Sequence, residues 1–395
     1  MRGIRLAAGG AILAIVMAAC SSAATPAPAT PAPASPAAST VPASIAPSAV
    51  PSTAPSAAPS SAPEAVTVRF GQLPYLDYAP WAVADAKGYL KDEGLTFEYS
   101  TFEVEQPMFE AMVGGSVDVG DSADTPFILS AAKAPELRLL SMASIFTGYS
   151  IMARPGAFKT YEEILPTVGN DRAKALAEVC GQLKGKTVIL PGGASFTPIL
   201  DTCLGYAGLT RDDVKTIDID PVEGAAAFIR GEGDFYSDGL PQRFRLEKEG
   251  MVNVVTGNQL AGGAMDVAGI ATTQKFLDEH PGIAERLMRA WYRSVDYIAA
   301  NPDDGLKIMT DWVNGLSGAG LTVDDGKRFL ADLLKLPTYA ESGPTFYDDP
   351  TSPFYYLTRL NFVVDYFGKA EGLDTGAIDL TTLVPAPQIF PNAKP

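Results

Sequence analysis

The stretch Val117-Asp118-Val119-Gly120-Asp121-Ser122-Ala123-Asp124-Thr125-Pro126 reads as a buried strand that runs straight into a helix. The strand starts at 117–120, its end carries Asp121 and Asp124, and the helix continues over 125–132, with a further strand at 137–144. Upstream the same alternation is present. A strand at 66–72 precedes a helix at 80–90, and a strand at 96–100 precedes a helix at 107–113 that Gly114-Gly115 closes. Strands and helices alternating through short links predict an α/β fold with a mixed, mostly parallel sheet flanked by helices on both faces.

Downstream, a strand at 150–153 leads into a charged stretch, 159–179, that reads as an inserted helical segment. The alternation then resumes with strands at 187–190, 215–219, 234–237 and 252–256, and helices at 196–206, 224–230 and 241–249. This is a second α/β unit. An apolar run at 265–270 carries the chain back to the first unit. From residue 273 the pattern is helical over 273–300, 302–313, 323–334 and 354–367. Asn301-Pro302 and the glycines between 315 and 320 mark the breaks.

The chain's start has a different character. Arg2 and Arg5 precede an apolar core and the small residues Ala18-Ala19 before Cys20, the layout of an export signal. Met17-Ala18-Ala19-Cys20 resembles a bacterial lipobox, with Met17 where that motif usually carries Leu, Val or Ile. Residues 1–20 are therefore expected to be a lipoprotein signal peptide with Cys20 as the lipid-attachment site. Residues 21–65 are almost wholly Ala, Pro, Ser and Thr, too poor in apolar surface to offset ordering entropy. They are expected to form a disordered tether.

The formal net charge is -16 at a pI near 4.5, which argues against nucleic acid and anionic membrane surfaces as partners. No later run approaches transmembrane length, so the body is expected to be held to the membrane by its N-terminus alone. Beyond Cys20, the cysteines are Cys180 and Cys203. In an exported protein they form either a disulfide or two buried free thiols. With the lone His280 they make too small a set for a zinc site, and neither metal nor cofactor is expected.

Three stretches give a resemblance. Ala86-Lys87-Gly88-Tyr89-Leu90-Lys91-Asp92-Glu93-Gly94-Leu95, then Gly114-Gly115-Ser116-Val117-Asp118-Val119-Gly120, then Leu183-Lys184-Gly185-Lys186-Thr187-Val188 followed by Gly192-Gly193 and by Gly205-Tyr206-Ala207-Gly208-Leu209, resemble substrate-binding proteins of bacterial ABC importers. The similar group handles nitrate, taurine, alkanesulfonates and thiamine-pyrimidine precursors. The resemblance implies a two-lobed type II periplasmic-binding-protein clamp, with lobe I at 66–146 plus 265–395 and lobe II at 147–264. It implies permease transmembrane subunits with a cytoplasmic ATPase as partners, and a small polar solute held between the lobes. Ligands of open α/β sheets also bind beyond the carboxyl ends of the strands.

Four strand-end segments therefore carry the candidate ligand-binding residues. The first holds Tyr75, Asp77, Tyr78 and Trp81; Tyr78 and Trp81 would alternatively pack the helix start. The second holds Asp121, Ser122 and Asp124, with Asp124 equally suited to capping the following helix. The third holds Ser195, Phe196 and Thr197 behind Gly192-Gly193. The fourth holds Tyr236 and Asp238, and Tyr149 lies near the expected hinge. Carboxylates and aromatic rings without Lys or Arg favour a solute with an amine, quaternary ammonium or aminopyrimidine-like ring over a simple anion. A sulfonate, taurine or nitrate ligand is the alternative on the same fold.

An enzyme of the thiamine-pyrimidine-synthesis type is the competing class. Such enzymes depend on a histidine and a cysteine-rich motif. Here His280 sits in a polar stretch at a helix break and no cysteine cluster exists. No catalytic residue is assigned.

Overall fold

The computed structural model describes residues 64–191, 196–260 and 264–370, residues 374 and 376, and residues 378–395. The export signal with Cys20 and nearly all of the tether lie outside the described residues. Glu64 and Ala65 enter as exposed coil.

Two sheets organise the chain. The first has the order β11-β4-β10-β3-β1-β2, with β1 at Val66–Gln72, β2 at Leu95–Thr101, β3 at Val119–Ala123, β4 at Leu137–Phe146, β10 at Asp266–Thr273 and β11 at Leu334–Lys335. The second has the order β7-β6-β8-β5-β9, with β5 at Ser150–Ala153, β6 at Thr187–Leu190, β7 at Lys215–Asp218, β8 at Phe235–Asp238 and β9 at Val252–Thr256. Strands β1, β2 and β3 are parallel, as are β6, β7 and β8. In each sheet a strand running the other way is wedged into the interior: β10 between β3 and β4, and β5 between β8 and β9.

Burial explains the strands. All ten residues of β4 are buried, as are all five of β3, as expected of strands covered on both faces. Helix α1 (Pro80–Ala86) places Pro80 at its first turn, where a missing N–H is harmless. Helices α2 (Glu105–Val113) and α3 (Asp124–Ala131) follow β2 and β3. In the second unit, α4 (Arg172–Gly181) and α5 (Thr197–Tyr206) are joined by a disulfide between Cys180 and Cys203, whose Cα atoms lie 5.3 Å apart. Helices α6 (Pro221–Ile229) and α7 (Gln242–Lys248) flank β8.

The helices differ from the sequence reading in three places. The expected helix over 273–300 is interrupted where Pro281 lacks an N–H and Gly282 takes φ 80°, so α8 starts only at Ile283 and ends at Ala300. Helix α9 is Pro302–Ser317, and α10 (Val323–Asp332) stops short so that Leu334 and Lys335 can pair with the edge of β4. The 159–179 segment is two helical pieces rather than one, split by Gly169 at φ 72° and Asn170 at φ 61°. The last long helix, α11 (Tyr356–Ala370), buries Leu360, Val363 and Phe367 against Phe127 and Ile128 of α3. Among the described residues, no helix is long and apolar enough to cross a membrane.

Two chain segments cross from one sheet to the other: 147–149 between β4 and β5, and the link between β9 and β10, of which 257–260 and 264–265 are described. They lie side by side. Gly257 donates its N–H to the Tyr149 carbonyl at 2.8 Å. A Cβ on Gly257 would come within 2.6 Å of the Ala264 carbonyl oxygen and 2.7 Å of that of Thr147. Only a glycine lets the crossings touch this closely.

Candidate functional site

Strand register brings the ends of both sheets to one place. Asp266, opening β10, pairs opposite Phe146, which closes β4. In the second sheet Ser150, next to Tyr149, pairs opposite Asp238 at the end of β8. Between these ends lies a small cavity lined by Tyr75, Asp77, Tyr78, Glu105, Phe146, Tyr149, Phe196, Leu240 and Asp266 with the backbone near Ala123 and Gly239. Its free volume is about 20 Å³, room for about one water. The side chains close over the space.

The walls are aromatic. The Tyr75 ring lies 6.3 Å from Tyr78 and 6.4 Å from Phe196, and Tyr149 lies 4.8 Å from Phe146 and 5.9 Å from Phe196, both edge-on. Hydrogen bonds fix two phenols. Tyr75 donates to the Glu103 carbonyl at 2.6 Å, and Tyr149 donates to the Asp266 carboxylate. Gly239 completes the fit: a Cβ there would sit 3.0 Å from the Phe146 ring and 3.3 Å from that of Tyr149.

The polar lining is acidic, and no Lys or Arg lines the cavity among the described residues. Burial pushes the Asp77 carboxyl up to about 7, against its own backbone hydrogen bond and with help from the Glu105 charge. Burial and the Asp124 charge push Asp266 well above the carboxylate range, opposed by the Tyr149 hydrogen bond and by Arg359. Desolvation disfavours the charged form wherever water is excluded.

The structure sorts the sequence candidates into three groups. Tyr75, Asp77, Tyr78, Tyr149 and Phe196 line the cavity. Asp121, Ser122 and Asp124 lie at or just beyond the end of β3, all fully buried. Asp121 accepts the Leu73 N–H at 3.0 Å, and Ser122 faces its own strand. Asp238 turns inward to accept the Tyr236 hydroxyl and, at 2.6 Å, the Gly239 N–H; burial raises it to about 7. The Tyr236 ring stacks on Phe228 at 5.8 Å. Thr197 opens α5, half-buried.

Trp81 falls elsewhere. Its ring packs on Phe70 at 5.3 Å and on Trp291 of α8 at 5.2 Å, in the core behind β1, because the helix turns that position away from the strand end. Ser195 and Gly192-Gly193 lie outside the described residues.

Three positions at or beside the cavity were not singled out from the sequence. Glu105, at the start of α2, follows the end of β2, so the strand-end rule applied to that strand would have found it. Asp266 begins an antiparallel strand, and the rule for parallel strands points to the other end. Arg359 carried no local signal. It reaches from α11 to ion-pair with Asp124 and donates to the Met265 carbonyl at 2.8 Å. The four segments carry no Lys or Arg, as read from the sequence; one arginine from α11 lies beside the cavity, ion-paired with Asp124.

Residues 174–305 match the family model described as NMT1/THI5 like. The riboflavin-binding protein RibY of Chloroflexus aurantiacus is 25% identical over 350 residues, which is 86% of this chain and 90% of that protein. The taurine-binding periplasmic protein of Escherichia coli is 22% identical over 234 residues, 58% of this chain and 66% of that one. Among solved structures, the alkanesulfonate-binding protein SsuA from Xanthomonas axonopodis pv. citri, bound to MOPS, superposes with a TM-score of 0.58 at 17% identity, over 78% of this chain and 95% of its own. These matches bear out the resemblance drawn from the sequence, and the fold is that of the periplasmic-binding-protein neighbours. The relatives are binding proteins.

Proposed function

We propose that this chain is the lipid-anchored, extracytoplasmic solute-binding protein of an ABC importer, without enzymatic activity of its own. Its solute is a small organic molecule with a flat, nitrogen-bearing ring, of the flavin or aminopyrimidine kind. The observation that carries this reading is the cavity lining: five aromatic side chains and the carboxyls of Asp77, Glu105 and Asp266, with no basic side chain among the described residues. Rings stack on the flat faces of such a solute, and the carboxyls accept its N–H groups. The relative that spans 86% of this chain and is named for riboflavin supports the same class.

The cavity as it stands is too small for a solute, so lobe I (66–146 plus 265–395) and lobe II (147–264) part about the crossings, at 147–149 and at 257–260 with 264–265, to admit one and close on it. Closure is driven by the difference in solute affinity between closed and open forms. A sulfonate or nitrate would need a free cation, and Arg359 is committed to Asp124.

A thermal-shift panel on the full chain tests the reading. It contains riboflavin, 4-amino-5-hydroxymethyl-2-methylpyrimidine, polyamines, quaternary ammonium compounds, taurine, alkanesulfonates and nitrate. A binder at 100 times its Kd adds about 2.7 kcal/mol. A shift with a ring nitrogen compound is expected; a shift with the anions alone refutes the assignment.

A further inference from the structure

We propose that polar contacts running from one α/β unit to the other, outside the cavity, clasp the closed form. Tyr366, Lys248 and Arg328 thereby act as positioning residues that set how tightly the solute is held without touching it. This rests on the reading above that the lobes part and close about the crossings.

The contacts lie in two places. In the first, Asp201 of α5 is gripped by Arg211, whose Nε donates to one carboxylate oxygen at 2.7 Å and whose Nη2 donates to the other. The same carboxylate accepts the Tyr366 hydroxyl at 3.3 Å. Asp201 belongs to the helix after β6 of the second sheet, whereas Tyr366 lies on α11, which packs on α3 of the first unit. In the second place, α7 of the second unit meets α10, which leads directly into β11 of the first sheet. Lys248 donates to Asp325 and to the Gly320 carbonyl, both at 2.8 Å. Arg328 pairs with Glu247, and its guanidinium carbon lies 4.7 Å from the centre of the Phe244 ring. None of these side chains lines the cavity.

Both places share one build: a carboxylate fixed inside the second unit is presented to a group of the first. Arg211 fixes Asp201. Arg243, at 3.1 Å, and Asn253, at 2.6 Å, fix Glu247, and Arg243 also donates to the Gly148 carbonyl of the first crossing at 3.0 Å. A carboxylate already held in place loses little freedom when its partner arrives, so more of the interaction is left to favour closure. Partly exposed pairs of this kind are worth up to about fivefold in an equilibrium, and salt weakens them. Affinity scales with the population of the form that grips the solute. Loss of a clasp contact therefore weakens capture whatever the solute's own charge.

Two measurements on the full chain, with Cys20→Ser and the Cys180–Cys203 disulfide intact, decide the matter. Nitroxides on Ser100→Cys and Thr216→Cys, exposed positions on β2 and β7, report the separation of the sheet edges farthest from the crossings. In the solute-free chain, Tyr366→Phe and Lys248→Met are each expected to shift the distance distribution to longer values, and Lys248→Arg, which keeps the charge, to recover most of the shift. Distributions that coincide in all of these proteins overturn the clasp. Calorimetric titration with riboflavin, uncharged at neutral pH, and with 4-amino-5-hydroxymethyl-2-methylpyrimidine is made at low and high salt. Wild type is expected to lose a few-fold in affinity as salt rises, and Lys248→Met to bind more weakly and lose less. Affinity indifferent to salt and to both substitutions overturns the role in capture. Binding of neither probe overturns the solute class alone, and the distances then decide the clasp.

Discussion

Arg359 and Asp124, 235 residues apart in sequence, form an ion pair under the cavity floor, with side chains 6% and 0% exposed. The pair ties α11 to the end of β3, and the Arg359 bond to the Met265 carbonyl extends the tie to the second crossing. Removing one member leaves the other charged and buried, which costs about 3–5 kcal/mol. Arg359→Met should lower the urea midpoint accordingly. The double variant Arg359→Met with Asp124→Leu should recover much of the loss, because no lone charge remains.

The pH dependence of stability follows from Asp77 and Asp238, both raised to about 7 by burial. Each keeps its proton in the native state at pH values where the unfolded chain has lost it. Their contribution is therefore full below pH 4 and falls as pH rises toward and through 7. Each is displaced by about three pH units, so on the scale of about 1.4 kcal/mol per unit each is worth about 4 kcal/mol and the two together about 9. Denaturation of the solute-free protein at pH 5 and pH 8 should show this fall, and Asp77→Asn should flatten it. An unchanged slope in the variant would remove Asp77 from the account.

The two crossings pack through Gly257. Gly257→Ala sets a methyl group against two backbone carbonyls, an overpacking worth about 1–3 kcal/mol. The expected result is a lower melting temperature than that of Gly205→Ala, a helix position where a Cβ meets nothing within 4 Å.

The Cys180–Cys203 disulfide closes a loop of 23 residues between α4 and α5. Loop-closure entropy puts its contribution at about 3 kcal/mol. Replacing both cysteines with serine should reduce stability by about that amount, read by denaturant unfolding.

Much of the fold was legible in the sequence because buried strands and short links leave local marks. The run from Val117 to Pro126 does become a strand entering a helix, and the four strand-end segments supply Tyr75, Asp77, Tyr78, Ala123, Phe196 and Gly239 around the cavity. What was not legible depends on which elements meet. Trp81 lies next to the correct loop, yet helix phase turns it to Trp291. Arg359 approaches Asp124 only because α11 packs on α3, a long-range contact with no local pattern. Asp266 reaches the cavity because β10 runs against its neighbours, a reversal that alternation alone does not reveal.

The central claim is that an aromatic, carboxyl-lined cavity holds a nitrogen-bearing ring. Binding isotherms for riboflavin, 4-amino-5-hydroxymethyl-2-methylpyrimidine and taurine at pH 7.5, with wild type, Asp77→Asn and Phe196→Ala, test it most directly. The account predicts saturable binding of at least one ring compound, weakened tenfold or more by either substitution, and none of taurine. Saturable binding of taurine alone, indifferent to Asp77 and Phe196, would contradict it.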